Sequence, residues 1–186
     1  MADNQSDLVI LGGGSGGYAA ALRAAELGKS VVLIEKDKVG GTCLHRGCIP
    51  TKALLHAGEI ADQTRESSTF GVNATFEGID MGGVRKYKDG VIGKNHKGLT
   101  GLIKGRGIEI VEGEGKLVGP KTVQVAGGDS YTGTNVILAT GSYSRSLPGL
   151  DIDGQRVITS EHALELDHVP DSAIVLGGGV IGCEFA

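Results

Sequence analysis

The stretch that most constrains the fold of this chain is DLVILGGGSGGYAAALRAAELGKSVVLIEKD, residues 7–37. Its first apolar run, 7–11, stops abruptly at glycines, as a buried parallel strand does before a tight turn. An alanine-rich segment, 18–28, follows and ends at Gly28, which is typical of a helix with glycine at its C-terminus. A second apolar run, 30–37, completes a β-α-β unit within about 30 residues.

The glycines of this unit have the spacing of a dinucleotide-binding turn. Gly12, Gly14 and Gly17 form a GxGxxG pattern, in which the three glycines permit the turn, the approach of a pyrophosphate and close packing of helix on strand. The N-terminus of the following helix presents N–H groups to phosphates. Glu35 lies 18 residues beyond Gly17, at the end of the second strand, where a carboxylate can accept from both ribose hydroxyls. The pattern predicts dinucleotide binding and disfavours a loop that only forms a turn.

A second copy of this pattern occupies SAIVLGGGVIGCEFA, residues 172–186. It contains a strand-like run followed by Gly177, Gly179 and Gly182 at the start of a helix, which predicts a second nucleotide-binding domain. A Rossmann domain cannot close on one strand and one helical turn. We therefore expect the chain to be a piece of a longer protein.

The region between the two glycine patterns predicts an α/β fold: a Rossmann-like domain with a helical excursion and an antiparallel β-meander, followed by the start of a second Rossmann-like domain. The helix over 80–104 is predicted from apolar residues near 3.6 spacing, although glycines at 82, 83, 90, 93 and 98 interrupt it. The predicted order is a helix (51–66), a loop (67–79), a helix (80–104), a meander from 108 onward, a buried strand (135–141), a linker (144–155) and a short helix from Ser160.

The charge and the apolar runs exclude some classes of partner. The net charge is −4 with a pI near 5.7, so there is no electrostatic reason to expect nucleic acid or an anionic membrane. No signal peptide is visible at the start, and no apolar run approaches the roughly 18 residues of a membrane span. We expect a cytoplasmic protein, and in that compartment cysteine pairs are more often catalytic or metal-binding than structural.

Two of the three cysteines lie close together in GTCLHRGCIPTK, residues 41–52. Structural zinc requires four ligands, and no four-ligand spacing emerges around Cys43 and Cys48. A structural disulfide would constrain the unfolded chain little across so short a loop. A redox couple is the favoured interpretation. Residues five apart in an ideal helix are roughly 8–9 Å apart at Cα, beyond the reach of a disulfide, so a Cys43–Cys48 pair predicts an interrupted helix here.

The segment GGTCLHRGCIPTKALL, residues 40–55, resembles the active-site segment of the flavin-dependent pyridine nucleotide–disulfide oxidoreductases. Within that family it is most similar to the dihydrolipoamide dehydrogenase branch. The resemblance extends along the whole chain, including ATGS at 139–142 and the second glycine pattern with Glu184. It implies an FAD-binding domain at 1–147 and the beginning of an NAD-binding domain at 148–186, with a C-terminal dimerisation domain outside these residues.

The resemblance also implies which residues hold the cofactors. The FAD pyrophosphate would lie on the Gly12–Gly17 turn and its adenosine ribose on Glu35, while NAD would bind at Gly177, Gly179 and Gly182. The further FAD-binding residues that the resemblance implies are Lys36, Gly41, Thr42, Cys43, Lys52, Gly115, Ala139, Thr140, Gly141 and Ser142.

For catalysis, the resemblance implies different roles for the two cysteines. Cys48 would lie next to the flavin ring, and Cys43 would exchange with a dithiol substrate. Lys52 would lie near the flavin N5 and pair with Glu184. The implied reaction transfers electrons from protein-bound dihydrolipoyl groups through FAD to NAD+. The base of this family is a histidine near the C-terminus of the partner subunit, so the 186 residues alone are expected to be inactive.

The implied partners are a second copy of the chain and a lipoyl-bearing acyltransferase of 2-oxo acid dehydrogenase complexes or the glycine cleavage system. Two other functions stay open: an NADPH-linked flavin reductase of another disulfide or metal ion, similar to glutathione, mycothione or mercuric reductase, and a non-catalytic FAD-binding fragment. The chain departs from the family pattern at His45 and Arg46, which favour surface or packing roles, and at Ser144. Cys183 is expected to be a buried apolar residue.

Overall fold

The structure is a computed structural model that describes residues 4–186. The chain divides into two compact units, one from residues up to His45 with Lys94–Tyr143 and the other from Arg46–Gly93 with Ser144–Ala186. Its elements are β1 (Asn4–Leu11), α1 (Ser15–Glu26), β2 (Val31–Glu35), α2 (Gly41–His45), α3 (Cys48–Arg65), a 3₁₀ turn (Ser67–Phe70), α4 (Met81–Gly105), β3 (Glu109–Glu112), β4 (Gly115–Gly119), β5 (Thr122–Val125), β6 (Ser130–Leu138), α5 (Ser160–Ala163) and α6 (Val180–Phe185).

A six-stranded mixed sheet in the order β3-β2-β1-β6-β5-β4 forms the first unit. The strands β3, β2, β1 and β6 are parallel, while β5 and β4 continue the sheet antiparallel to β6. The apolar runs of β1 and β2 are fully buried at Ile10 and Leu33, where they pack with Ala21 of α1 and Ile103 of α4. The predicted β-α-β unit and the Rossmann-like fold class are confirmed.

The prediction for residues 108–141 is correct in part. Strands β4, β5 and β6 form the expected antiparallel meander, with turns at 120–121 and 126–127. The first run, β3, is instead a parallel edge strand beside β2. The predicted buried strand is part of β6, which ends at Leu138 with that side chain 57% exposed. One long strand therefore serves both the parallel and the antiparallel parts of the sheet, because it pairs with β1 on one side and β5 on the other.

Helix α4 forms as predicted in spite of its glycines. Its glycines at 82, 83, 90, 93, 98 and 101 all lie at exposed positions, so no core contact is lost through their missing side chains. Ile103 is fully buried and Leu99 packs beside it in the core. The apolar spacing decides the element here because burial of one face outweighs weak helix propensity.

The helical structure of the cysteine segment is interrupted between the two cysteines, as their pairing requires. Helix α2 ends at His45 and α3 begins at Cys48. Gly47, the N-cap of α3, has φ −148° and ψ −115°, which is far from helical geometry. Pro50 lies in the first turn of α3, where its missing N–H leaves no helical hydrogen bond unmade. The predicted break in the helix between the two cysteines is confirmed.

The prediction of a strand over 172–176 is wrong. No strand is formed there, and the side chain of Ile174 is 97% exposed. The short helix predicted from Ser160 is present as α5, with Thr159 and His162 in a reciprocal cap. Between residues 4 and 186, no helix is both long enough and apolar enough to cross a membrane.

Candidate functional site

The first glycine turn needs glycine for two different physical reasons. Gly12 has φ +104°, and a Cβ on it would lie 2.2 Å from the carbonyl oxygen of Ala139. A Cβ on Gly17 would lie 1.8 Å from the carbonyl oxygen of Gly12. The turn therefore brings the start of α1 against the ends of β1 and β6 with no room for side chains.

The N-terminus of α1 is open for an anion. Its N-cap is Gly14, which provides no side-chain cap. No atom outside the helix lies within 4 Å of where a Cβ on Gly16 would be. The first-turn N–H groups of a 12-residue helix therefore face space with no competing acceptor from a capping side chain, and the helix dipole favours negative charge there. These residues fit a dinucleotide pyrophosphate.

Glu35 is held in position at the end of β2 by two backbone N–H groups. Its Oε2 accepts from Gly13 N–H at 2.6 Å and its Oε1 accepts from Asp37 N–H at 2.8 Å. An ionised carboxylate has about four acceptor positions, so both oxygens can still accept from ribose hydroxyls. The structure thus joins Glu35 directly to the glycine turn, as the dinucleotide prediction requires.

The segment before the cysteines also packs against the turn. Gly40 N–H donates to the Gly13 carbonyl at 2.8 Å, and a Cβ on Gly41 would lie 2.6 Å from Gly14 Cα. Gly41 has φ +58°, and Thr42 is exposed beside it. Two predicted cofactor-binding segments, far apart in sequence, are therefore in backbone contact.

The residues after β6 complete the same edge of the sheet. Ala139 N–H donates to the Leu11 carbonyl at 2.8 Å, and Gly141 has φ +81°. Thr140 and Ser142 are exposed at the carboxyl end of the strand. Gly115 lies at the start of β4, where a Cβ would come within 2.5 Å of the Leu11 side chain. Every FAD-binding residue that the sequence predicts in the first unit, Cys43 apart, lies along this edge or its adjoining segments.

The two cysteines occupy different helices. Cys43 is half-buried in the middle of α2, and Cys48 is exposed at the first position of α3. Leu44 is buried, which fixes α2 in the first unit. His45 has Nε2 3.0 Å from the Val39 carbonyl and its ring packs edge-on to His96. This contact gives His45 the packing role that the sequence favours.

Lys52 and Glu184 form an ion pair between α3 and α6 in the second unit. Lys52 lies four residues after Cys48, one helical turn along α3. The side chain of Lys52 is 57% exposed and that of Glu184 is 26% exposed. The contact that the resemblance implies is therefore present, and it places a cation and its carboxylate partner one turn from a cysteine.

The second glycine turn repeats the geometry of the first. Gly177 has φ +117°, and a Cβ on Gly182 would lie 2.0 Å from the Gly177 carbonyl oxygen. Gly179 is the N-cap of α6 and again provides no side-chain cap. The three predicted NAD-binding glycines therefore form the same turn as their counterparts.

Three polar contacts were not predicted from the sequence. Lys36 Nζ donates to Tyr143 Oη at 3.1 Å, and this hydrogen bond raises the pKa of Lys36. Burial, together with His45 and Lys38, lowers the pKa of His96. Lys88 is fully buried and donates to the Leu164 carbonyl at 2.9 Å and to Glu165 Oε1 at 2.5 Å. Lys36 is among the FAD-binding residues that the resemblance implies, and Tyr143 follows ATGS directly, but their contact with each other was not predicted.

One prediction about a cysteine is wrong. Cys183 is exposed, not buried, and its Sγ lies 3.4 Å from the Gly178 carbonyl. Across residues 4–186, no cluster of three or more His, Cys, Asp or Glu side chains could hold a metal ion.

The glycine turns, the helix break between two cysteines and the ion pair one turn beyond them define a class of protein. The pyridine nucleotide-disulphide oxidoreductase family model matches residues 6–186, and the chain belongs to that family. Within it, the chain is similar to dihydrolipoyl dehydrogenases. It is 44% identical to that of Bacillus subtilis over 192 residues and 41% identical to dihydrolipoyl dehydrogenase 2 of Haloarcula marismortui over 187 residues.

These relatives are longer than the chain. The matches cover 97% of this chain in both cases, but 40% of the Bacillus protein and 39% of the Haloarcula protein. Solved structures agree on the fold. The HOCl-induced flavoprotein disulfide reductase RclA of Escherichia coli has a TM-score of 0.79 at 28% identity, covering 96% of this chain and 38% of its own. LpdA of Mycobacterium tuberculosis has a TM-score of 0.77 at 26% identity, covering 90% and 38%.

Proposed function

We propose that the protein oxidises protein-bound dihydrolipoyl groups to lipoyl disulfides and passes the electrons to NAD+. The observation that carries this proposal is the succession of the Gly12–Gly17 turn, Glu35 and the Cys43–Cys48 segment along one continuous stretch. Backbone hydrogen bonds tie the turn to Glu35 and to the residues just before the cysteines. Identity of 44% to a dihydrolipoyl dehydrogenase supports the choice of substrate.

The dinucleotide site supplies binding and orientation for FAD. The N–H groups at the start of α1 would bind the pyrophosphate, and the fixed carboxylate of Glu35 would accept from the ribose hydroxyls. Gly41, Thr42 and the residues 139–142 would hold the remainder of the molecule. When bound, FAD supplies the two-electron carrier between the cysteines and NAD+.

The cysteines perform thiol–disulfide exchange. A substrate thiolate attacks Sγ of Cys43 in the Cys43–Cys48 disulfide, and Cys48 leaves as a thiolate. The second substrate thiol then displaces Cys43, which gives the cyclic lipoyl disulfide and two reduced cysteines. The net reaction converts one dithiol and one NAD+ to one disulfide, one NADH and one proton. Lys52, oriented by Glu184, provides positive charge one helical turn from Cys48.

The whole protein has further parts in this proposal. Residues 1–147 bind FAD and residues 148–186 begin the NAD-binding domain, with Gly177, Gly179 and Gly182 at the nicotinamide dinucleotide. The partners are a lipoyl-bearing acyltransferase of a 2-oxo acid dehydrogenase complex or of the glycine cleavage system, and a second copy of the protein. The location is cytoplasmic.

A second candidate function is the reduction of another disulfide with electrons from NADPH. The TM-score of 0.79 at 28% identity to a flavoprotein disulfide reductase supports it. The two candidates differ in the direction of electron flow. Rates with dihydrolipoamide plus NAD+ and with NADPH plus a disulfide separate them.

The test is anaerobic reduction of flavin by dihydrolipoamide in the complete protein. In the wild-type protein, the visible absorbance of oxidised flavin is expected to decrease after mixing with dihydrolipoamide. Cys43→Ser and Cys48→Ser are expected to retain oxidised flavin. Cys183→Ser is the matched control and should behave as wild type, because Cys183 lies outside the redox segment. Unchanged reduction in Cys43→Ser would refute the proposed exchange.

A further inference from the structure

Lys36 and Tyr143 meet at the carboxyl ends of two strands that flank β1. Lys36 is the first residue after β2, and Tyr143 lies five residues after the end of β6. The hydrogen bond between their side chains is 3.1 Å long, and Lys36 Nζ lies 5.8 Å from the Tyr143 ring centroid. The two residues are 107 positions apart in sequence, so the contact is a product of the tertiary fold.

The sheet order fixes what this contact crosses. Strand β1 lies between β2 and β6 and pairs in parallel with both, with Leu11 opposite Ile34 and Leu138. Two strand spacings separate β2 from β6, a distance of about 9.6 Å. The contact therefore joins the segments that follow the two neighbours of β1, and the Gly12–Gly17 turn begins at the end of β1, between them.

This end of β1 is the topological switch point of the sheet. The chain passes from β1 to β2 and β3 on one side, and returns to β6 on the other side. In open α/β sheets, ligands bind in the crevice outside the carboxyl ends of the strands at such a point. The contact between Lys36 and Tyr143 thus bridges the crevice in which a dinucleotide binds.

We propose that Lys36 and Tyr143 form a clasp across the first glycine turn that retains a bound dinucleotide. The proposal rests on the proposed FAD-binding function of that turn. Adenine dinucleotides combine an anionic diphosphate with aromatic rings, and the clasp combines an ammonium with a phenol ring. The hydrogen bond with Tyr143, and to a smaller extent the charges of Glu114 and Glu35, raise the pKa of Lys36.

The exposure of the clasp argues against a role in the core. The side chain of Tyr143 is 79% exposed, more than that of any other tyrosine among the described large apolar residues. It belongs to neither hydrophobic cluster of the sheet. Removal of its ring should therefore leave the folded apoprotein intact and change only the escape of the ligand.

The experiment measures FAD dissociation from the complete flavoprotein, by the recovery of flavin fluorescence after dilution, together with the thermal midpoint of the apoprotein. Tyr143→Ala is expected to release FAD about three- to tenfold faster, since the exposed hydrogen bond and the ring that carries it are lost together. Tyr143→Phe and Lys36→Met should each give about a two- to threefold increase. The apoprotein midpoint should not change.

Tyr87→Ala is the matched control, because Tyr87 is a 46% exposed tyrosine on α4, away from the sheet edge. Wild-type rates in Tyr143→Ala and Lys36→Met would overturn the clasp, and so would an equal loss of thermal stability in the apoprotein. A wild-type protein that binds no FAD would refute the proposed function as well. If the wild-type protein binds FAD and the variants release it at the wild-type rate, only the proposed clasp is refuted.

Discussion

The two glycine turns of the chain have the same local geometry. The first glycines have φ +104° and +117°, and a Cβ on the last glycine would lie 1.8 Å and 2.0 Å from the first carbonyl oxygen. The first helical hydrogen bond is 2.9 Å in both, from Tyr18 N–H to Gly14 and from Cys183 N–H to Gly179. Short-range contacts within six residues thus suffice to set the turn.

The runs that precede the two turns differ completely. Val9 and Ile10 are fully buried in β1, whereas their counterparts Ile174 and Val175 are 97% and 40% exposed. A strand needs hydrogen-bond partners on a neighbouring strand, and β1 has them on both sides. Within residues 4–186 no strand pairs with 172–176. The turn is a local structure, while the strand requires distant residues.

The largest effect is expected for Gly17→Ala. The new Cβ would lie 1.8 Å from a backbone carbonyl oxygen that cannot move without shifting β1. We expect a loss of about 3 kcal/mol in the free energy of unfolding, together with loss of bound FAD. Urea unfolding and the flavin content of the purified protein measure the two effects.

Gly16→Ala is the control for this variant. A Cβ on Gly16 meets nothing within 4 Å, and the residue is in the first turn of α1. Alanine should leave stability unchanged or raise it by about 0.5 kcal/mol through helix propensity. Equal destabilisation by the two substitutions would show that the close approach at Gly17 is not what the turn requires.

Gly182→Ala should have a smaller effect on stability and a different effect on function. The clash is similar, at 2.0 Å, but the turn carries no paired strand in the described chain. We expect a loss of about 1 kcal/mol, with flavin retained and NAD+ reduction lost. Gly178→Ala, with nothing within 4 Å of its Cβ, is the control. Flavin loss from Gly182→Ala would contradict the assignment of separate dinucleotides to the two turns.

The contrast between the turns also explains which parts of the fold were predictable. The β-α-β unit, the break before Cys48 and helix α4 were predicted because spacing and glycine placement act over a few residues. The parallel pairing of β3 with β2 was missed because its partner lies more than 70 residues earlier. The strand predicted over 172–176 was wrong for the same reason, since an apolar run cannot specify its own partner.

The candidate functional site shows the same difference between features set by nearby residues and features that need distant partners. Glu35 and the glycines were found from motif spacing, and the ion pair of Lys52 with Glu184 was implied by family resemblance. The contact of Lys36 with Tyr143 and the buried Lys88 were not found. Their partners lie 107 and 76 residues away, and no local pattern distinguishes them from solvated side chains. Sequence therefore predicted the geometry of the glycine turns better than the side-chain contacts that connect distant segments.

The ion pair allows a test of how the helix after the second turn is held. Helix α1 buries Ala21 against the sheet, whereas α6 has no buried residue in the described structure and is linked to α3 through Glu184. Glu184→Gln should lower the free energy of unfolding by about 0.5–1 kcal/mol, as for a partly exposed pair.

A double-mutant cycle with Lys52→Met should show that most of this loss is a coupling energy between the two side chains. High salt should reduce that coupling energy. Glu59→Gln, on the exposed face of α3, is the control and should have a smaller effect. A coupling energy of zero would mean that packing, and not charge, positions α6.

The smallest effect is expected at Asp7, which precedes the first turn and has Ser172 as its counterpart. Its carboxylate accepts from Ser30 N–H at 2.9 Å and Ser30 Oγ at 3.0 Å, and these bonds, with nearby Lys29, lower the pKa of Asp7 from its ordinary 3.8. Because the folded-state pKa is the lower one, the stabilisation is complete above pH 3.8 and is lost as the pH falls through the folded value.

Asp7→Asn should therefore be less stable than wild type at pH 5, and the difference should shrink at pH 3. Urea unfolding at the two pH values measures it, with Ser172→Ala as the control at the second turn. A difference that stays constant between pH 5 and pH 3 would mean that the carboxylate charge does not link β1 to β2, and the comparison of the two turns would then rest on strand pairing alone.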